Sequence, residues 1–357
     1  MPILKARHPL VPEFDVLING ARIAAEVKAH VVGVTVDEHV NWPSMFALEL
    51  TGAETLANAT RWLDDAKLFA VGNEVEIKLG YMGRLESLLK GELTSLEPEF
   101  HAQRLPTLTV RGYDRRHRLQ RGRKTKSFVQ LKDSDIASQI ADQAGLDKKV
   151  VDSEVIHDYV LQANQTDLDF LQARAERIQY EVVVSDKTLH FRPVANAESE
   201  VLTVKLYDDV LEFYPRLSSV GQVSETAVRG WNLKDKKEIV GAAKAGDENT
   251  KMGGKKSGAA LVAGAFGAAV AQFTDWPVST QPEADQIAKA QLNRHVLALI
   301  EGEGVCSGRA DLRAGRVIKI EGAGERFSGQ YYVVAVEHRY HPQHSYRTHF
   351  TVRRNAA

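Results

Sequence analysis

Apolar residues in the first third of the chain recur at every second position, the spacing of half-buried strands. Phe14, Val16 and Ile18 lead into Asn19-Gly20, a two-residue turn signal because both residues accept positive φ. Val32, Val34 and Val36 follow on one face, then Phe46, Leu48 and Leu50. Val75, Ile77 and Leu79 alternate with Glu74, Glu76 and Lys78, and Leu93, Leu108 and Val110 continue the set. About six strands with polar outer faces and few helices predict a closed or nearly closed barrel, since closure removes sticky edges.

Near residue 127 the period changes. Ser134 is placed to cap a helix carrying Ile136, Ala137, Ile140, Ala141 and Ala144, with Gly145 as its stop. A second helix begins at Thr166, with Asp169 as a box-like partner and Leu168, Leu171, Ala175 and Ile178 along one stripe. Residues 180–184 and 188–191 form a hairpin around Ser185-Asp186-Lys187. These segments predict a compact α+β insert over 127–200. Strand signals return at Val201 and continue through Val220, Val223 and Val228. From about 241 to 273 the sequence is rich in Gly, Ala and Lys, a composition expected to leave a long mobile loop. A helix then starts at Thr280 with Pro282 in its first turn, buries Ala284, Ala288, Leu292, Val296 and Leu299, and closes at Gly302. Strands around Val317, Tyr332 and Phe350 end the chain. The layout is β over 1–126, α+β over 127–200 and β over 201–357. A short echo, VRGYDRR at 110–116 and VRGWNLK at 228–234, is weak support for duplication.

Charge adds one feature to this picture. The chain balances 46 basic against 47 acidic side chains, yet VRGYDRRHRLQRGRKTK at 110–126 concentrates Arg115, Arg116, Arg118, Arg121, Arg123, Lys124 and Lys126. Such a run in a near-neutral chain suits a specific charged partner, either phosphates or an acidic protein surface. Overall neutrality and an aromatic share of 7% argue against nucleic acid as the main target, which favours a protein interface. A length of 357 residues predicts more than one domain. The single cysteine, Cys306, excludes an intrachain disulfide framework and suits a reducing cytoplasm. No secretory signal is visible in MPILKARHPLVPEF, and the apolar run at 259–273 is too short for a membrane span.

Candidate chemistry is sparse. His338, His341, His344 and His349 cluster, but Tyr340-His341-Pro342-Gln343-His344 reads as a turn from which the rings would splay, so no metal site is expected. Asp64-Asp65 and Asp208-Asp209 lie in polar stretches and read as solvated surface. Cys306 has no motif that would supply a base. Nucleophile-elbow, phosphate-loop and HExxH patterns do not occur. No catalytic residue, cofactor or metal is assigned. The Gly-Ala segment, with Lys255-Lys256, reads as a flexible loop before a membrane-active or lumen-plugging one.

Taken together, several ordered segments resemble the phage late control D / VgrG hub family of contractile tails and injection machines. They are VRGYDRRHRLQRGRKTKSF at 110–128, SDIASQIADQAGL at 134–146 and QTDLDFLQARAERIQYEVVVSDKTLHFRP at 165–193. VRGWNLKDKKEIVG at 228–241 and the closing LRAGRVIKIEGAGERFSGQYYVVAVEHRYHPQHSYRTHFTVRRN complete the set. The pattern T-D-x-x-F-L-x-x-x-A-E-x-x-x-Y-E at 166–181 and the late F-S-G-x-Y are the more specific parts.

The resemblance implies a mainly β fold, with two tube-like β-barrel domains flanking the helical α+β region and assembling as a ring. Three copies would present six similar barrels, joining a six-fold inner tube to a three-fold spike. Expected partners are further copies of the chain as a homotrimer, the spike protein, the inner tube protein and baseplate proteins, with a tape-measure protein or cargo in the lumen. Larger relatives continue into an oligonucleotide-binding-type barrel and a needle, whereas this sequence stops at Asn355-Ala356-Ala357, so the spike is expected on a separate chain unless the sequence was cut short. The product is expected to be made in the bacterial cytoplasm and built into a phage tail or injection particle. The rival readings are a tail-tip cell-wall hydrolase, which would need paired carboxylates or a metal in a cleft, and a glycan- or receptor-binding module.

Overall fold

The computed structural model describes residues 11–52 and 67–357. Period-two patterning in the first part becomes strands β1 (Pro12–Ile18), β2 (Ala21–Arg22), β3 (Val31–His39), β4 (Met45–Thr51), β5 (Glu74–Tyr81), β6 (Arg84–His101) and β7 (Arg104–Asp114), with a short helix α1 (Ala25–Ala29) between β2 and β3. They pair antiparallel in the order β3-β4-β7-β6-β5-β1-β2. The alternating residues named from the sequence fill its inner face: Val16, Val34, Val36, Phe46, Ile77, Leu79 and Val110 are all completely buried. Asn19 and Gly20 both take positive φ, 50° and 81°, as the turn requires.

The middle of the chain folds as α2 (Arg116–Leu119), β8 (Lys124–Lys132), α3 (Asp133–Gln143), β9 (Asp147–Val150), β10 (Ile156–Gln165), α4 (Asp167–Arg177), β11 (Tyr180–Ser185) and β12 (Thr188–Pro193). β8 and β10 form a ribbon, and β11-β12-β9 a second small sheet. Both helices cover one core, in which Phe128 and Phe170 stack with centroids 5.6 Å apart. Thr166 caps α4 as expected, accepting the Asp169 N–H at 3.1 Å. The start of α3 differs from the sequence reading. Lys132 is its N-cap residue, its own N–H donating to Asp135 at 3.2 Å, while Ser134 lies inside the helix and donates its N–H to Ser153.

The remaining elements are β13 (Leu202–Lys205), β14 (Val210–Leu217), β15 (Glu225–Asn232), β16 (Lys237–Lys244), α5 (Gly258–Phe266), β17 (Val270–Phe273), α6 (Gln281–Leu297), β18 (Ile300–Ser307), β19 (Val317–Glu321), α7 (Gly324–Phe327), β20 (Gly329–His341) and β21 (Ser345–Arg354). The large sheet runs on as β14-β18-β21-β20-β3, so strands from both ends of the sequence share one 13-stranded surface. β20 is the shared member. Its first residues pair with β19, which also carries β13, and residues 335–340 pair with β3. The surface curls at both ends. Phe14 of β1 comes within 4.9 Å of the Tyr340 ring, and Phe213 of β14 packs on Tyr331 at 5.8 Å. Among the described residues no ladder joins β1 to β20 or β14 to β20. The expected closed barrel is therefore a mainly β fold whose curled sheet is sealed by side chains instead of hydrogen bonds.

The Gly-Ala segment is folded, contrary to the expectation of a long mobile loop. Residues 237–244 are strand, 258–266 helix and 270–273 strand, and together with β15 and α6 they form a second α+β unit. Small residues are what allow it. A Cβ on Gly241 would sit 2.2 Å from the Ala284 carbonyl, so α6 lies directly on the β16 backbone. Thr280 caps α6, but the helix ends at Leu297 and Gly302 belongs to β18. The two echoed motifs fall in different sheets, VRGYD on β7 and VRGWN on β15. Asp64-Asp65 lie outside the described residues.

Candidate interaction site

β7 delivers the basic segment to the place where the curled sheet meets the first α+β unit. Asp114 ends β7, and its carboxylate accepts the N–H groups of Ser44 and Arg116, each at 2.8 Å. It also accepts the Arg116 Nε at 2.9 Å, and Arg116 Nη2 donates to Ser44 Oγ at 3.0 Å. Arg116 is only 2% exposed, and its Nη1 donates to the His39, Val40 and Val182 carbonyls at 3.4–3.5 Å. Its charge is spent inside the protomer, holding strand and insert together.

Arg115 is also buried. It donates to Asp186 at 2.8 Å and to Glu74 at 2.5 Å. His117 and Arg118 converge on Glu92. Burial pushes the Glu92 carboxyl up, but hydrogen bonds from Arg118 and His117 outweigh it and hold the group below the usual range. Arg118, about half exposed, has its own pKa raised by the same bond. Of the seven residues expected at a partner interface, Arg115 and Arg116 are buried, because acids from other segments fold over them. The others lie at or near the surface. Arg123 donates to the Asn164 carbonyl at 2.8 Å, Lys124 pairs with Asp167 at 2.5 Å, and Lys126 sits 4.8 Å over the Phe128 ring. Arg121 is exposed on the turn after α2. Arg118, Arg121, Arg123 and Lys124 are exposed, whereas Arg115 and Arg116 are buried.

The histidines diverge. His338 is completely buried between Tyr346 Oη at 2.8 Å and Thr348 Oγ1 at 3.2 Å, and burial drives its pKa down to about 3. His341 and His344 occupy the turn after β20, their rings 4.8 Å apart. Burial pushes the Cys306 thiol up to about 12, which keeps it protonated and unreactive. Asp209 takes the Lys205 N–H and pairs with Arg309 at 3.4 Å, a turn-closing role. No group of three or more His, Cys, Asp or Glu among the described residues is arranged to hold a metal ion, and no helix there is long and apolar enough to cross a membrane.

A second charged seam is built from residues with no local sequence signal. His157 Nε2 lies 3.2 Å from Asp133, its Nδ1 3.4 Å from Glu283, and Arg174 and Arg177 bind the same two carboxylates. This cluster ties α3, β10 and α4 to α6 of the second α+β unit. Burial opposes the His157 charge, but its bonds to Asp133 and Glu283 prevail and raise its pKa.

Solved structures share this fold over nearly the whole chain. The 43 kDa tail protein of prophage MuSo2 from Shewanella oneidensis superposes with a TM-score of 0.70 at 12% identity, covering 96% of this chain and 98% of that one. A tail protein from Neisseria meningitidis MC58 gives 0.68 at 11% identity, with 96% of each chain covered. The E. coli c3393 protein, a type VI secretion system component with structural similarity to the T4 tail proteins gp27 and gp5, gives 0.60 at 14% identity over 96% of this chain and 77% of that one. No curated protein matches by sequence. A family model does, over residues 9–341, and the chain belongs to the family that it describes, the Alg8 N-terminal domain family.

Proposed function

We propose that this chain is a non-enzymatic structural component of a contractile tail or injection machine, and within it the hub that joins the six-fold inner tube to the three-fold spike. The observation that carries the reading is the fold itself, shared end to end with two tail proteins. The sheet adds support. One half is built on β1 and β3–β7 and the other on β13, β14 and β18–β21, each curled on its own core. We take these halves as the two tube-like barrels, with 1–126 and 201–357 as their segments and 127–200 as the α+β region between. Three protomers would then present six similar walls on one side and three-fold symmetry on the other. An obligate ring of this kind buries roughly 2,000–5,000 Å² per interface. Arg118, Arg121, Arg123 and Lys124 are the members of the basic segment placed to meet a neighbouring subunit or baseplate protein.

Native mass spectrometry of the purified chain, alone and coexpressed with its tube and spike proteins, tests the reading. A trimer is expected in at least the coexpressed sample. A chain that stays monomeric in both, or forms a ring of another copy number, would refute it.

A further inference from the structure

β11 is an edge strand, with β12 on one side and a cavity on the other. The cavity, about 420 Å³, lies where the three parts of the molecule meet, walled by residues 183–185 of β11 with Asp186 of the turn that follows, His190 and Arg192 of β12, residues 87–90 of β6 and the loop 313–316. The pairing phase of the small sheet fixes which β11 backbone groups face it. Val151 donates its N–H to the Phe191 carbonyl at 2.8 Å, so alternate residues of β12 starting from Phe191 turn toward β9. His190 and Thr188 therefore turn toward β11 and bond with their partners Val183 and Ser185. Val182 and Val184 are left pointing their amides and carbonyls at the free edge. Arg116 takes the Val182 carbonyl at 3.5 Å, in keeping with that phase. The Val184 side chain is buried in the core of the first α+β unit, and its N–H and C=O make no hydrogen bond to protein across the free edge among the described residues. Groups on such an edge are satisfied by water or by an added strand.

The walls are also unevenly charged. Arg116 is matched by Asp114, Arg313 by Glu38 and Lys90 by Asp186, all within the lining. Arg192 is matched from outside by Glu181, and the exposed Arg316 has no acidic partner among the described residues. The unmatched charge is positive. A small anion would answer Arg316 but leave Val184 unpaired, and a helix has no free backbone groups along its side. An extended chain supplies both a donor and an acceptor to Val184 while placing alternate side chains along the walls.

We propose that the free edge of β11 accepts an extended, acidic peptide segment of a partner protein by strand addition. The test is fluorescence polarisation on the full chain with a labelled heptapeptide of alternating Glu and Val, its Lys/Val counterpart, and a Glu/Val version N-methylated at alternate residues. The Glu/Val peptide should bind at least about tenfold more tightly than either of the others, because the second reverses the charge complementarity and the third removes the ladder. Arg316→Glu, at an exposed position, should weaken it by about tenfold without altering the fold. Bound peptide should also slow hydrogen exchange at the Val184 amide. Equal affinity for the N-methylated or Lys/Val peptide, or no loss with R316E, would overturn the proposal. So would inorganic phosphate that displaces the peptide at comparable concentration, which would assign the cavity to a small anion.

Discussion

Replacing Arg116 by Met separates a structural role for the inner basic pair from a partner-binding one. Methionine keeps the length and apolar stem of the side chain but removes the guanidinium. Asp114 then loses its buried counter-ion, and the Ser44 hydroxyl together with the His39, Val40 and Val182 carbonyls loses a donor. Breaking a buried pair by removing one partner costs about 3–5 kcal/mol. Asp114 keeps two backbone N–H donors, from Ser44 and from residue 116 itself, which places the expected loss near ~3 kcal/mol. Adding Asp114→Asn removes the stranded charge and should restore about half of that loss. Urea unfolding followed by circular dichroism reads both effects as shifts in midpoint. Arg123→Met is the control, since an exposed arginine on one carbonyl should change stability by no more than about 0.5 kcal/mol. If Arg116→Met also stays within about 1 kcal/mol of the parent, the inner pair does not hold the junction and the argument from burial fails.

Three further outcomes are expected. His157 has its pKa raised on folding, so the stability it contributes is complete below the unfolded value of 6.5 and is lost as pH rises through the higher folded value. The unfolding midpoints of the parent and His157→Asn should therefore converge on going from mildly acidic to alkaline pH; a gap that widens instead would contradict the charged seam. Thr166→Ala removes the acceptor for the Asp169 N–H and should cost about 1 kcal/mol, measurable by thermal denaturation, with a zero shift counting against the cap. Gly241→Ala would drive a methyl group into the α6 backbone and should destabilise by about 1–3 kcal/mol. Its signature is faster hydrogen exchange in residues 281–297, and unchanged exchange there would show that the helix does not rest on that strand.

Much of the large sheet was legible because its signal is local. A strand with one wet face must alternate, and Phe14, Val16 and Ile18 or Val75, Ile77 and Leu79 do so without reference to any partner. The caps at Thr166 and Thr280 were readable for the same reason, each bond spanning three residues. What failed depends on distance or on absence. Two of the acids that neutralise Arg115 stand 41 and 71 residues away, at Glu74 and Asp186, and nothing near the basic run announces them. Asp114 was the exception, since an acid two residues before Arg116 at the end of a strand could have flagged an internal pair. The Gly-Ala segment misled because area-based reasoning counts side chains, whereas Gly241 packs by having none. The closed ladder expected of the strands gave way to aromatic contacts such as Phe14 on Tyr340, and no periodicity distinguishes the two.

The strand β20 is common property of both halves, and this decides how the protomer answers a load. Tilting one half against the other must shear the backbone bonds linking residues 335–340 to β3, all of them together, because they lie in one register. Among the described residues, backbone bonds join the halves directly. A pull or a push applied at one end passes through a stiff plate to the other, so the unit moves as a single block or not at all.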